Sequence, residues 1–379
     1  MVVEVPATRW DVHALPVQSE AVASRVRHMG VVHGAELADP TAFSVSSAEA
    51  AAMDPCQRLL LERGYEALHG AALLREALSG SLTGVFLGFS GTEFSRVLSA
   101  TPAGGSVYAA TGSSASIAVG RLSYALGLHG PCVSYDTACS AALSACHAAL
   151  RSLQLAECTA GLVVGVGLIL TPIISSSFAV AGMTSTRGRS HTFDARADGY
   201  ARAEACGGIA LRPGDECGRL SLQGSAVRQD GRSASLTAPN GQAQQGLLVA
   251  ALSDAGTSAD ALVVHEAHGT GTALGDPIEA GSLVGSVVAM RSSSSESPLT
   301  VGGVKANIGH AEPAAGMTGL LKLALGLLGD AAAPNAQLRS LNPHVVHTMR
   351  DERCTLPVQL VAAGVGEHAG SGGVSSFGY

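Results

Sequence analysis

Charge is scarce in this chain. Of 379 residues only 14% are Asp, Glu, Lys or Arg, aromatic residues make up 4%, and there is one tryptophan. So little charge beside 46% hydrophobic residues excludes an intrinsically disordered chain. The shortage of aromatics speaks against a β-sandwich with aromatic corners. Together with 47 glycines it favours tightly packed α/β layers. Those glycines keep no fixed period, which excludes collagen. The eight cysteines, at positions 56, 132, 139, 146, 158, 206, 217 and 354, include no CxxC pair, so no metal site is expected and a reducing compartment is. No apolar run reaches the roughly 18 residues of a membrane helix. The longest, Ala160 to Leu170, stops at Thr171-Pro172, and Lys322 cuts the run near Leu320. The opening residues show no basic region followed by an apolar one, so a cytoplasmic protein without a signal peptide is expected. A net charge of −7 and a pI near 6.0 leave no basic surface for nucleic acid.

What is present is alternation. Met53 to Leu68 predicts a helix capped by Asp54 with Pro55 at its first position. Leu82–Phe89 and Cys132–Tyr135 read as short strands, and a small-residue helix follows from Ser140 to about Leu153. Leu162–Leu170 is the continuous apolar run of a strand buried on both faces. Further strands are predicted at Gly208–Leu211, Arg219–Ala226, Ala261–His265 and Leu299–Val304, with a helix over Ala314–Leu328. Strands alternating with helices imply a parallel or mixed sheet covered on both sides. At about 150 residues per domain, the length fits two or three folding units or one large one.

Chemistry concentrates in three places. Tyr135-Asp-Thr-Ala-Cys139-Ser puts a thiol where a strand turns into a helix, facing unsatisfied N–H groups that favour thiolate. Alone, Cys139 would pass for one more small buried residue. Two histidine loops change that: His265-Glu-Ala-His268-Gly-Thr-Gly-Thr, running on to Asp276 and Glu279, and Lys305-Ala-Asn-Ile-Gly-His310-Ala-Glu312. Each follows a predicted strand in a glycine-rich loop, where open α/β sheets place ligands. His265 and His268 lack the HExxH spacing of a zinc site. No P-loop and no GxSxG elbow occur.

Asp136-Thr-Ala-Cys139-Ser, Glu266-Ala-His268-Gly-Thr-Gly-Thr and Lys305-Ala-Asn-Ile-Gly-His310 resemble the three active-site motifs of β-ketoacyl synthase (ketosynthase) domains. The likeness is closer to the type I polyketide synthase branch. Met53-Asp-Pro, Gly120-Arg-Leu-Ser-Tyr124, Thr192 to Tyr200, Pro239-Asn-Gly241 and Gly373-Val-Ser-Ser-Phe-Gly378 agree, in the family's order and across the chain.

The resemblance implies an α/β thiolase-like fold, with two pseudo-symmetric halves in a five-layer sandwich. The halves would be approximately 1–220, carrying the nucleophile, and 221–379, carrying both histidine loops, as one ketosynthase domain. It implies a decarboxylative Claisen condensation of an acyl thioester on Cys139 with malonyl-(acyl carrier protein), extending a polyketide or fatty acyl chain. His268 and His310 would stabilise the enolate, Lys305, Asp276, Glu279 and Glu312 would support the loops, and no cofactor is implied. The helix start, rather than an imidazole, is expected to activate the thiol, so loss of His310 would spare acyl loading. The implied partners are acyl carrier protein, a second copy in a homodimer and other polyketide synthase domains. Relative to the family pattern, the first strand–helix and the last strand are expected to be absent. Ala203 and Ala205 flank Glu204 where glycines are usual, and Tyr379 stands at the position whose backbone N–H joins that of Cys139 in the oxyanion hole. A non-condensing or structural fragment of a larger megasynthase is the alternative reading.

Overall fold

The structure is a computed structural model that describes residues 2–15, 19–91, 93–214, 220–292, 298–349, 353–365 and 370–378. Two four-stranded sheets organise it. The first comprises β1 (Thr83–Phe89), β2 (Cys132–Tyr135), β3 (Ala160–Gly167) and β4 (Ala205–Leu211) in the order β2-β1-β3-β4. β1 is parallel to β2 and β3, and β4 is antiparallel to β3. The second comprises β5 (Leu262–Glu266), β6 (Leu299–Gly302), β7 (Cys354–Thr355) and β8 (Ser371–Val374), all parallel, in the order β7-β6-β5-β8. The strand predicted at Arg219–Ala226 does not form over its described residues 220–226, which join no ladder. Apolar alternation marks a segment that could pair; only a neighbouring strand makes it a ladder.

Helices form three further layers. α1 (Pro55–Gly70) and α2 (Ala115–Leu126) cover the outer face of the first sheet. Leu60 and Leu122 there pack with Val85, Leu87, Leu162 and Val164 in one buried cluster. The Asp54 carboxylate accepts the Cys56 N–H at 2.7 Å and caps α1 as its sequence predicts. Between the sheets lie α3 (Ala141–Gln154) and α6 (Ala315–Leu328). Ala142, Ala145, Cys146 and Ala149 of α3 meet Phe86, Val163 and Met317 in a second cluster. α4 (Gly241–Ala255) and α5 (Gly275–Leu283) close the far side, where Leu252, Ala280 and Leu283 pack with Leu262, Leu299 and Val301. β1 and β3 are buried on both faces, which explains their unbroken apolar sequences. The small residues of α3 answer to this central layer, because a helix between two sheets has no open face. Among the described residues, no helix is long and apolar enough to cross a membrane.

Candidate active site

Cys139 sits on a single helical turn, Ala138–Ser140, that runs directly into α3. Ala138 takes the left-handed conformation at φ 50°, a strained geometry that turns the chain out of β2 and aims the thiol inward. Gly88 of β1 lets this turn seat: a Cβ there would lie 2.5 Å from the backbone of Ala142. Cys139 is only 7% exposed.

Two chain segments from the other half converge on it. Nε2 of His310 lies 2.9 Å from the Cys139 Sγ. The His268 and His310 rings stand edge to face with centroids 5.5 Å apart, and the Tyr200 ring packs on the other side of His310 at 4.9 Å. His310 is held by backbone bonds on both sides, its N–H to Ala201 O at 2.7 Å and its carbonyl from Ala203 N–H at 2.8 Å. The Phe377 N–H donates to Nδ1 of His268 at 3.3 Å, which makes that nitrogen the acceptor and leaves the ring proton on Nε2. Ser376 Oγ donates to the Cys139 carbonyl at 2.6 Å. All three side chains line one cavity of about 1700 Å³.

The supporting residues fall where their loops need them. Glu279 accepts the backbone N–H groups of His268 (2.6 Å) and Gly269 (2.7 Å). Asp276 accepts those of Phe193 (2.7 Å) and Gly271 (3.0 Å). Lys305 is buried and its Nζ donates to the His268 carbonyl, so the second loop tethers the first. Burial pushes Glu279 up to about 7 and Asp276 up to about 6, and it lowers Lys305. Glu312 does not touch the reacting groups; Arg202 grips it through two nitrogens at 2.6 and 2.9 Å. Tyr379 lies outside the described residues. Among the described residues no three His, Cys, Asp or Glu side chains are grouped to hold a metal ion.

Burial opposes the thiolate that the helix start favours. It pushes Cys139 up to about 12, with the Glu312 charge adding to the rise and Lys305 opposing it. It also drives His268 and His310 well below the usual imidazole range, helped by the nearby Lys305 charge.

Other contributors escape a sequence reading. Arg202 and its partner Ser175 carry no local pattern, and Glu204 is legible only as part of the resemblance. Glu204 takes Arg9 through both oxygens at 2.8 and 2.9 Å and accepts the N–H groups of Val32 and Ile169. The Gly373–Gly378 stretch is visible as a motif, but which partner each of its residues binds is not.

A thiol and two imidazoles line one deep cavity with a buried lysine tethered behind them, an arrangement suited to thioester chemistry. The chain belongs to the β-ketoacyl synthase family. Residues 1–216 match the model of the family's N-terminal domain and residues 220–339 that of its C-terminal domain. It is 41% identical to the Spectinabilin polyketide synthase system protein NorC of Streptomyces orinoci, over 90% of this chain and 15% of that protein. It is 39% identical to a phenolphthiocerol/phthiocerol polyketide synthase protein of Mycobacterium tuberculosis, over 99% of this chain and 20% of that protein. The chain thus spans a fifth or less of the length of these two relatives. Among solved structures, it superposes on the ketosynthase from module 6 of the bacillaene synthase from Bacillus subtilis 168 with a TM-score of 0.89 and 30% identity, covering 100% of this chain and 65% of that one. An oxazolomycin ketosynthase domain of Streptomyces albus JA3453 gives 0.90 and 31%, covering 100% and 67%. The thiolase-like fold expected from the motifs is the fold of these ketosynthase domains.

Proposed function

We propose that this chain joins an acyl group held as a thioester on Cys139 to a malonyl unit delivered by acyl carrier protein. The carrying observation is the meeting of Cys139, His268 and His310 at one buried cavity, with sulfur and imidazole 2.9 Å apart. As the thiol attacks the incoming thioester, His310 accepts its proton and returns it to the departing carrier thiolate. The malonyl thioester then loses CO₂. The Nε2–H of His268 donates to the enolate oxygen, and His310, after exchanging its Nδ1 proton for one on Nε2, is the second donor. The enolate carbon attacks the acyl carbonyl, a carbon–carbon bond forms, and the Cys139 thiolate leaves and takes a proton from solvent. These steps balance without a nucleotide, metal or redox partner. The backbone N–H of Cys139, at the helix start, serves the oxyanion in this proposal.

Residues up to about 220 supply the nucleophile and the remainder supplies both histidines, so neither half is competent alone. A second copy of the chain and further polyketide synthase domains are the proposed partners. Cys132 and Val133 are exposed on β2, an edge strand with no further neighbour among the described residues, which suits pairing with another strand. The test is incubation with an acyl-carrier-protein thioester, followed by peptide mass spectrometry at Cys139 and assay of malonyl decarboxylation. Acyl mass on Cys139 with condensed product supports the proposal. Loading without product points to a non-condensing domain, and absence of loading in the folded protein overturns the enzyme reading.

A further inference from the structure

The three residues after β8 bind three different parts of the site. Ser375 meets His265, Ser376 holds the Cys139 carbonyl, and Phe377 holds Nδ1 of His268. The last two contacts touch the reacting residues directly. The first lies one step behind them: Ser375 Oγ and Nε2 of His265 are 3.2 Å apart, and both residues are buried. His265 lies on β5, opposite Gly373 of β8 in the register, and the missing side chain of Gly373 makes room for the imidazole. A Cβ at Gly373 would stand 2.8 Å from Nδ1 of His265. That nitrogen is itself buried without a hydrogen-bond partner among the described residues, so Ser375 is the polar anchor of the ring.

A buried imidazole in a strand is costly unless its hydrogen bond serves the structure around it. Here the bond sits where β8 ends and the segment Ser375–Gly378 begins, beside the backbone bond from the Ser375 N–H to the Glu266 carbonyl at 3.0 Å. We propose that His265 is a positioning residue: through Ser375 it sets the segment that orients His268 and the Cys139 carbonyl. The inference rests on the function proposed above and deepens it. His265 stays uncharged, because burial pushes it down to about 4, so its contribution is one of geometry.

A double-mutant cycle on the full chain tests this with Ser375→Ala, His265→Asn and both together. Three quantities are read: acyl loading of Cys139, malonyl decarboxylation, and hydrogen exchange of the Phe377 amide. Ser375→Ala leaves the buried His265 ring without its partner, so the variant should melt below wild type yet still fold cooperatively. It should slow decarboxylation about tenfold, the effect of one lost hydrogen bond, and speed Phe377 exchange by a similar factor. The double variant should be no slower than the slower single variant, since the two residues act through one bond. Full activity and unchanged exchange in Ser375→Ala would overturn the proposal, as would additive losses in the double variant. The exchange measurement is independent of turnover. If wild type fails to condense malonyl units while Ser375→Ala still speeds Phe377 exchange, the proposed function fails and the anchoring role stands.

Discussion

Nε2 of His310 lies 2.9 Å from Sγ of Cys139, although 171 residues separate them in the chain. One belongs to the turn after β2 of the first sheet, the other to the loop after β6 of the second. The contact makes the two halves one site, and it bears on how the thiol becomes a nucleophile. With Cys139 pushed up to about 12 by burial, the helix start alone leaves the sulfur protonated near neutral pH.

His310→Ala should therefore slow acyl loading of Cys139 by about 10²-fold at pH 7, the low end of what a positioned base contributes. Loading by the variant should climb about tenfold per pH unit as free thiolate replaces the lost acceptor. Intact-mass kinetics from pH 7 to 9 would show this. Unchanged loading at pH 7 would instead restore the helix start as the activating group.

His268 divides the two half-reactions. Its Nδ1 is committed to the Phe377 N–H, so its chemistry is donation from Nε2. His268→Ala should cut malonyl decarboxylation by about 10²–10³, as for loss of one oxyanion donor, and leave acyl loading within a few-fold. Single-turnover assays of the two steps would separate the effects.

Glu279 should matter for folding more than for chemistry. Glu279→Gln weakens two backbone N–H acceptances and should cost about 1.5–3 kcal/mol in chemical denaturation. Its pH signature has a definite sign. The folded value near 7 lies above the ordinary value of 4.5, so the folded protein holds the proton more tightly. That stabilisation is complete below pH 4.5 and lost as pH rises through about 7. The stability advantage of wild type over Glu279→Gln should therefore shrink from pH 4.5 to 7 and level off above it.

Gly88 is a packing test of the nucleophile turn. In Gly88→Ala the added methyl would meet the Ala142 backbone at 2.5 Å, and backbone yields less readily than a side chain. The variant should lose about 1–3 kcal/mol of stability. Where it folds, its acyl loading should fall with the displaced turn, while Gly70→Ala, which meets nothing, should load normally. Equal loading by both variants would show that Gly88 does not set the turn.

Sequence alone marked several of the elements and singled out Cys139, His268 and His310 as candidates. An unbroken apolar run marked β3 because a strand covered on both faces has no polar side to show. Asp54-Pro55 marked the start of α1 because a cap is a local bond between neighbours. Cys139, His268 and His310 stood out because a thiol after a strand and histidines in glycine loops are poor packing choices. Only the tertiary structure decided what joins what. Whether residues 220–226 form a strand depends on a partner elsewhere, and no local pattern carries it. The titration of Cys139 depends on the protein that surrounds the sulfur as well as on the helix start, and only the helix start is legible in sequence. Arg202, Ser175 and the His265–Ser375 pair act across 27 to 110 residues. Such contacts exist only once two sheets and the helices between them have packed.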